Sequence, residues 1–509
     1  MSTLLDEVRT LVDRTRERFA DTAATGPLEL TRGRLDEPLR VAIAGKVKAG
    51  KSTLLNALVG EPLAPTDAGE CTRIVTWYRD GLTYRVTLEP HEGDPEQAPF
   101  RRRDGHLDID LGGRDPSEVR RLIVAWPSAS LRTLTLIDTP GIGSVSTDVS
   151  SRTHAFLTPE DGPTDADAVC YLMRHLHGTD IRFLESFHDD EAANATPMNA
   201  IAVLSRADEI GVARLDALQT AERIARRYRT DPKVRRLCQT VVPVAGLLAE
   251  AGATLRQDEH GALQALLVVP RDELASALLS ADRFVSSAQE LPLDAETRYL
   301  LLQRLGLFGL RLSLALLRHG GVGSAPELAA ALTKHSGIDR LREVLATQFA
   351  ARADLLKARS ALAGVDAALR TRRGPGTEDL EAELERLLSS THAFAEARLL
   401  NAVRAGNVPL ADERLEEAER LLGGDGPGIA SRLGLATDSP RETLHATAIA
   451  RLEHWQKAAE HPFADQDAVA AARVLVRSCE GILADLAGSP SLPGVEHAEP
   501  RAQPWEAGT

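Results

Sequence analysis

The feature that most constrains this chain is the octapeptide GKVKAGKS at residues 45–52, which matches the pattern GxxxxGK[ST]. It follows a short apolar run at 41–44 and precedes a segment with helical spacing at 53–59. In such a strand-to-helix turn, backbone N–H groups converge on phosphate oxygens at the N-terminus of the helix. The motif therefore predicts an α/β domain that binds a nucleoside phosphate.

The residues of this phosphate loop have separate predicted roles. We expect Lys51 to act in catalysis by bridging the β- and γ-phosphates, and the Ser52 hydroxyl to bind Mg²⁺. Lysine is scarce in the chain, and three of its seven lysines lie within residues 46–51, so this segment requires ammonium groups. The predicted nucleotide-binding residues of the segment are Gly45, Lys46, Val47, Lys48, Ala49, Gly50, Lys51, Ser52 and Thr53.

A second motif, DTPG at residues 138–141, follows another apolar run at 134–137. A carboxylate at this place in nucleotide hydrolases reaches Mg²⁺ through water, and the glycine N–H bonds the γ-phosphate. We therefore predict that Asp138 contributes to the metal site and that Gly141 binds nucleotide. Between the motifs, Thr72 is expected to bind Mg²⁺ through its hydroxyl and the attacking water through its carbonyl; the alternative is a threonine that merely begins a strand.

The tetrapeptide SRAD at 205–208 follows a further apolar run and stands in the place of the guanine-reading N/TKxD motif. A carboxylate at Asp208 can accept hydrogen bonds from N1–H and the 2-amino group of guanine, a pair of donors that adenine lacks. An ordinary surface loop is the alternative interpretation. The run at 241–246 would be the last strand and the loop behind the base, so the predicted base-site residues are Ser205, Arg206, Asp208 and Ala245.

The rest of the chain indicates several substructures. Five apolar runs separated by helix-compatible segments predict buried parallel strands, hence an α/β domain at 39–250. Helical spacing predicts an N-terminal helix over 1–38 and an all-α region over 251–487, with a disordered tail over 488–509. Glycine clusters at 320–323 and 423–428 mark turns or hinges between the helices.

Composition excludes some function classes. The formal net charge of −14 argues against a nucleic-acid binder, because phosphate contacts require clustered Lys and Arg. The four cysteines lie far apart and form no CxxC pair, which favours reduced thiols in a cytosol. Early charged residues argue against a secretory signal, so we expect a cytoplasmic protein.

The apolar stretch at 299–317 is long enough to cross a bilayer. It carries Arg304 and Arg311, and Arg318 continues the same seven-residue spacing, so the three arginines share one stripe of a helix. Such charges are costly inside a membrane, and we predict no transmembrane span. A helix in a bundle with its arginines at the rim is the preferred interpretation, and insertion into a membrane surface is the alternative.

With these motifs in place, the chain resembles a bacterial dynamin-like GTPase, of the actinobacterial kind found in isoniazid-inducible operons. The matching stretches lie at 39–60, 64–81, 136–144, 205–211, 241–249 and 336–362. The resemblance implies an α/β P-loop GTPase head with Mg²⁺ and GTP or GDP, and an all-α bundle forming a neck and trunk. It further implies head dimerisation through the nucleotide face and membrane remodelling, with peripheral contact at the inner face of the plasma membrane.

The chain departs from the family pattern in two ways. The dynamins proper carry Gln and Ser where this chain has Val47 and Lys48, so Val47 cannot polarise water. In guanylate-binding relatives, an arginine at the position of Lys48 acts as an internal finger. Lys48 therefore either takes a catalytic part as a point charge or only neighbours a phosphate.

The second departure is that the sequence shows no paired-hydrophobic paddle, lipid-binding domain or transmembrane hairpin. Two further hypotheses follow. A nucleotide-gated scaffold with little turnover would pair with another, membrane-anchored dynamin-like protein. A ribosome-associated GTPase is disfavoured, because the acidic helical half lacks the basic and aromatic surface that RNA recognition requires.

Overall fold

The computed structural model describes residues 3–20, 22–65, 74–103, 106–141, 164–188, 197–211, 213–286, 291–371, 376–461 and 464–488. The chain divides into two compact units, Met1–Asn407 and Val408–Thr509. The domain boundaries at residues 38, 250 and 487 stay predictions. The disordered tail was expected over 488–509, and from residue 489 onward it lies outside the described residues.

The first unit begins with two helices, α1 (Leu4–Arg18) and α2 (Thr25–Arg34), where the sequence predicts a single one. The helix ends at Phe19, whose carbonyl accepts hydrogen bonds of 2.7 and 2.9 Å from the hydroxyls of Thr22 and Thr25. Threonine hydroxyls that bond the backbone locally compete with helical hydrogen bonding, and this corrects the prediction of one helix.

The strands are β1 (Leu39–Gly45), β2 (Thr76–Asp80), β3 (Arg85–Pro90), β4 (Glu96–Gln97), β5 (Phe100–Arg103), β6 (His106–Ile109), β7 (Val119–Trp126), β8 (Leu134–Asp138), β9 (Ala168–Met173), β10 (Ala200–Ser205) and β11 (Val241–Val244). Among the described residues, nine of them form one sheet in the order β11-β10-β9-β1-β8-β2-β7-β3-β4, and β5 pairs with β6.

The five strands that the sequence predicts are neighbours in this sheet, with β1 between β8 and β9 and all pairs parallel. They confirm the predicted α/β fold. The sequence did not predict β2, which joins β8 antiparallel, or the strands beyond it. Those strands carry charged side chains, such as Asp80 of β2, Glu89 of β3 and Arg120 of β7, which interrupt their apolar pattern.

Helices cover both faces of the sheet, which is why its central strands are mostly apolar. Val41 and Ile43 of β1 pack in one apolar cluster, and Ala42 and Ala44 pack in the other. The first cluster includes residues of α3 (Lys51–Val59). The second includes residues of α4 (Gly178–His188), α5 (Ala217–Thr230) and α6 (Pro232–Arg235).

The first unit continues with α7 (Gly246–Thr254), α8 (Gln257–Ala265), α9 (Arg271–Ala277), α10 (Ala281–Ser286), α11 (Ala295–His319), α12 (Ala325–Ser336), α13 (Ile338–Val344), α14 (Ala353–Thr371), α15 (Glu378–Ser390) and α16 (His392–Ala405). The apolar cluster of α1 and α2 also includes residues of α14 and α15. The N-terminal helices therefore pack with helices from far along the chain.

The second unit consists of α17 (Asp412–Leu421), α18 (Ile429–Leu433), α19 (Arg441–Ala459) and α20 (Gln466–Gly488). Trp455 is fully buried in it, and its ring N–H donates a 2.9 Å hydrogen bond to Glu417. The same carboxylate accepts a 2.5 Å bond from Arg451. These contacts tie α19 to α17 and satisfy the polar group of a buried aromatic residue.

Candidate functional site

A cleft lies where β1, β9, β10 and β11 end at their carboxyl termini. In open α/β sheets, ligands bind at this edge. Six of its lining residues are among those that the sequence predicts, namely Ala49, Gly50, Thr53, Ser205, Arg206 and Asp208. The predicted phosphate loop and the predicted base site thus meet in one cleft.

The remaining lining residues are Leu54, Leu172, Val203, Glu209, Val244, Gly246 and Leu247. Of these, Val244 and Gly246 lie in the run 241–246 that the sequence places behind the base, and the others were not predicted. Most of them are apolar and flank the motifs by one or two positions. Their apolar side chains suit the faces of an aromatic ring, whereas the motif residues offer polar groups. Their position at the ends of predicted parallel strands was the signal that could have identified them.

The phosphate loop depends on its glycines. Gly50 has φ 91°, in the left-handed region, and a Cβ at Gly45 would lie only 2.5 Å from the carbonyl oxygen of Leu172. Lys48 also adopts a positive φ, 61°, which is uncommon outside glycine. These torsions turn the chain sharply from β1 into α3, so that the N-terminus of α3 faces the cleft.

Lys51 is buried at the start of α3, with 9% of the residue exposed. Its Nζ donates to the carbonyl oxygens of Gly45 and Lys46 at 3.3 and 3.4 Å. Burial lowers the pKa of Lys51, and the charge of Asp138 opposes that effect. A buried ammonium whose hydrogen-bond partners among the described residues are carbonyls gains strongly from an anionic ligand, as its predicted role with phosphate requires.

The residues predicted to bind Mg²⁺ are in part adjacent. Ser52 Oγ donates a 3.0 Å hydrogen bond to Asp138 Oδ2, and Asp138 Oδ1 has no hydrogen-bond partner among the described residues. Burial raises the pKa of Asp138 against the influence of Lys51. Two hard oxygen donors, one of them a buried and unpaired carboxylate oxygen, fit Mg²⁺. Thr72, the third predicted ligand, lies outside the described residues.

Gly141 and Val47 are in close contact at the mouth of the site. A Cβ at Gly141 would lie 2.6 Å from Val47 Cγ2 and 3.0 Å from the Val47 amide nitrogen. Val47 is 44% exposed, and Lys48 beside it is also exposed. The two residues that depart from the family pattern therefore form the outer surface of the loop, next to the predicted γ-phosphate contact.

Lys46 has a partner that the sequence did not predict. Its Nζ lies 3.2 Å from the carboxylate of Asp180, which is almost completely buried. Asp180 also accepts hydrogen bonds from Tyr171 Oη at 2.7 Å and from the His177 amide at 2.9 Å. This network ties the phosphate loop to β9 and to the first turn of α4.

The base side of the cleft is formed by the turn after β10. Asp208 is buried, and burial raises the pKa of its carboxyl to about 6. Arg206 has φ 52°, and its guanidinium donates a 2.6 Å hydrogen bond to Glu209. Ser205 Oγ donates to the Met173 carbonyl at 3.3 Å. The turn thus presents one buried carboxylate toward the cleft and neutralises the other within itself.

Ala245, predicted to back the base, is fully buried, and its amide donates a 2.9 Å hydrogen bond to the Ser336 carbonyl. Its neighbours Val244, Gly246 and Leu247 line the cleft instead. Ala245 therefore connects the base side to the end of α12 and does not itself belong to the cleft lining.

The family of this chain follows from its similarity to known proteins. Residues 41–163 match the dynamin family. The isoniazid-induced protein IniC of Mycobacterium tuberculosis is 43% identical over 452 residues, which cover 89% of this chain and 91% of that protein. The chain belongs to the dynamin family. The bacterial dynamin-like protein of Nostoc punctiforme is 32% identical to this dynamin-like chain over 119 residues. That match covers 20% of this chain and 16% of the Nostoc protein.

One similar solved structure is that of an oligomerised bacterial dynamin pair. The match covers 94% of this dynamin-like chain and 90% of the chain in that structure, with a TM-score of 0.32 and 13% identity. Members of the dynamin family are GTPases. The match to IniC over most of the chain confirms the resemblance that the motifs of this dynamin-like protein carry.

Among the described residues, helix α11 of this dynamin-like protein is long and apolar enough to cross a membrane, and 39% of its most apolar 18-residue stretch is buried. It is broken at Gly306, and the piece from 307 to 319 is about 20 Å long, less than a hydrocarbon core of about 30 Å. Arg304 and Arg311 bond backbone carbonyls of neighbouring segments at 3.2 and 2.6 Å. These arginines are partly buried and bonded to neighbouring segments, in a helix that packs with others, as the preferred interpretation of a bundle helix expects.

Proposed function

We propose that this dynamin-like protein binds GTP and, with Mg²⁺, hydrolyses it to GDP and phosphate. The observation that carries the proposal is a cleft lined both by Ala49 and Gly50 of the phosphate loop and by Asp208. A phosphate loop alone serves ATP and GTP equally. A buried carboxylate at the base end favours guanine, because only guanine offers it two adjacent donors.

The chain's own residues have distinct parts in this reaction. The loop amides and Lys51 bind the β- and γ-phosphates, and the Gly141 amide bonds the γ-phosphate. Mg²⁺, when bound by Ser52 and Asp138, would neutralise charge that builds on the phosphate oxygens. Thr72 is proposed to complete the metal site and to orient the attacking water with its carbonyl.

Lys48 is proposed to supply the positive charge that acts in the transition state. It lies exposed beside Val47, on the face of the loop that a second head could cover. Val47 cannot hydrogen-bond a water molecule. The chain therefore needs another group for this purpose, and an ammonium on a left-handed turn is the available one.

The proposed output is nucleotide-dependent association of heads, as a homodimer or with another dynamin-like protein, coupled to a swing of the helical part. We propose a cytoplasmic protein that contacts the inner face of the plasma membrane peripherally and acts in membrane remodelling or maintenance. The second candidate is a nucleotide-gated scaffold with little turnover that pairs with a membrane-anchored relative. The exposed apolar Val47 and the docked arginines of α11 favour that second candidate.

Calorimetry with GDP and ADP tests the base assignment. We expect GDP to bind more than tenfold more tightly, since each hydrogen bond to a charged group contributes about 1.5–3 kcal/mol. In Asp208→Asn, preference should move toward xanthine nucleotides, whereas Glu209→Gln, which changes a neighbouring cleft residue, should keep guanine preference. Equal affinity of the wild type for ADP and GDP would overturn the assignment.

Turnover and membrane contact separate the two candidates. A rate of GTP hydrolysis per protein molecule that rises with protein concentration supports the enzyme with head association. Binding without hydrolysis supports the scaffold. Flotation with vesicles of defined anionic-lipid content, with and without GTP, decides whether this chain contacts lipid by itself.

A further inference from the structure

The break in α11 lies against the base side of the cleft. A Cβ at Gly306 would stand 3.5 Å from Leu247 Cδ1 and 3.9 Å from Asp208 Oδ2. Asp208 follows β10 and Leu247 follows β11, two strands that pair in parallel, and both residues line the cleft. A helix about 100 residues beyond the base-reading motif therefore reaches its carboxylate.

The backbone at this contact is unusual. Gly306 has φ 65° and ψ 173°, a region that is essentially restricted to glycine and that interrupts helical hydrogen bonding. The break divides α11 into segments 295–305 and 307–319. Strained backbone persists only where surrounding contacts hold it, so the contacts of the two segments decide what keeps the break in place.

The first segment is held by Arg304. Its guanidinium donates to Glu259 Oε1 at 2.9 Å and to Thr254 Oγ1 at 2.7 Å. Thr254 is the last residue of α7, and the first turn of α7 contains Gly246 and Leu247 of the cleft. Arg304 therefore fixes the far end of the helix that forms one side of the base pocket.

The second segment is held by Arg311. It donates to the carbonyl of Ala213 at 2.6 Å and to the carbonyl of Leu278 at 2.7 Å. Ala213 lies five residues after Asp208 and adopts φ 55°, so this bond restrains the loop that leaves the base-reading turn. The two segments thus hold the two sides of the pocket, with Gly306 between them.

We propose that α11 supports the base side of the cleft from behind, through the approach of Gly306 to Asp208 and Leu247, and that Gly306 and Arg311 are positioning residues that make base selectivity depend on how α11 is docked. The inference rests on the proposed binding of a guanine nucleotide. Selectivity arises when a buried carboxylate meets both donors of the base in good geometry. A loosened turn forfeits those bonds while it leaves the phosphate loop intact.

Arg311→Gln tests the proposal, with Arg318→Gln as its matched control. Arg318 lies on the same stripe of the same helix and donates to the Val269 carbonyl at 3.2 Å, in a segment that does not line the cleft. Affinities for GDP, ADP and inorganic pyrophosphate are measured with Mg²⁺. We expect Arg311→Gln to lower the affinity for GDP about tenfold and to leave the affinity for pyrophosphate unchanged. Arg311→Lys, which keeps the charge, should retain part of the GDP affinity.

A wild-type ratio of GDP to ADP affinity in Arg311→Gln would overturn the proposal, as would an equal loss in Arg318→Gln. A loss of pyrophosphate affinity in parallel with GDP would also overturn it, since this indicates general damage to the domain. If the wild type itself does not prefer GDP to ADP, the proposed function fails, which is a separate outcome.

Hydrogen exchange of the wild type provides a test without any variant. GDP should slow exchange of the amides at 303–311, whereas pyrophosphate, which fills only the phosphate loop, should not. Equal exchange in both complexes would reject the support of the base side by α11. Gly306→Ala should abolish the GDP effect, and Gly406→Ala, with φ 72° and no atom within 4 Å of its added Cβ, is the control for positive-φ strain.

Discussion

The hydroxyl of Ser52 donates a 3.0 Å hydrogen bond to Asp138 Oδ2 and thereby joins the first turn of α3 to the end of β8. Burial raises the pKa of Asp138, and the charge of Lys51 and the Ser52 bond only partly oppose it. The ionised carboxylate is therefore unfavourable in the folded protein without a cation. The buried charge lowers the folding stability of the protein without metal, and a bound cation would remove this cost.

Asp138→Asn should make the nucleotide-free protein more stable at pH 7, by about 1 kcal/mol, because it removes a buried charge. The folded pKa lies above the unfolded value, so ionisation costs stability above the folded pKa and the cost disappears as the pH falls through it. The two proteins should therefore converge in thermal stability at low pH. The same variant should lose the contribution of Mg²⁺ to GTP affinity, and lower stability of the variant at pH 7 would contradict this account.

GDP affinity should fall as the pH is lowered through about 6, the pKa of Asp208 that burial produces. The base donors bind the ionised carboxylate, so protonation competes with binding, and affinity is full above this pKa and lost below it. Calorimetry between pH 5 and 8 measures the effect. Asp208→Asn keeps the titration of the phosphate groups and should lack the step, so an equal step in both proteins would place its origin elsewhere.

Lys51→Ala should abolish tight nucleotide binding, because it removes a buried ammonium that, in the part of the chain that the structure describes, bonds two carbonyls and is free to bind an anion. Lys48→Ala should spare binding and lower hydrolysis at least about tenfold, because charge at this position acts in the transition state.

Two controls separate charge from backbone conformation at Lys48, where φ is 61°. Lys48→Gly removes the charge and suits this φ, and Lys48→Arg keeps the charge. Hydrolysis should be low in the Gly variant and largely retained in the Arg variant. Wild-type turnover in Lys48→Ala would dismiss the finger and leave Lys48 as a phosphate neighbour.

The helical part should move relative to the head when the γ-phosphate is sensed. The glycine cluster at 320–323 lies between α11 and α12 and tolerates large backbone changes. Spin labels at the exposed positions Arg227 and Asn407 should therefore differ in separation between GDP and a transition-state mimic, by on the order of 5 Å. Identical distance distributions with nucleotide bound would favour the scaffold.

Labelling is selective because three native cysteines are buried. Burial raises the pKa of Cys170 and Cys238 to about 12 and that of Cys479 to about 11, so little reactive thiolate is present at pH 8. The fourth, Cys71, is replaced by serine. The unlabelled Cys71→Ser protein should hydrolyse GTP at the wild-type rate, which confirms that the background is suitable.

The sequence by itself determined the features that depend on neighbouring residues. Glycines at 45 and 50 are needed for a turn from a buried strand into a helix, and the five apolar runs are short and flanked by helix-compatible segments. These patterns were sufficient for the parallel strands and for the motifs that meet in the cleft. Local chemistry specifies them, since turn torsions and strand burial act over a few residues.

Tertiary structure alone decided the contacts between distant segments. Lys46 pairs with Asp180, 134 positions away, and Gly306 reaches Asp208 only because α11 is broken and docked by its arginines. The arginine stripe is compatible with the preferred bundle helix and with insertion into a membrane surface, because spacing specifies the shared face and not its partner. Burial, which shifts the pKa values of Asp138 and Asp208, is likewise a property of the packed chain, since desolvation depends on every segment that covers a group.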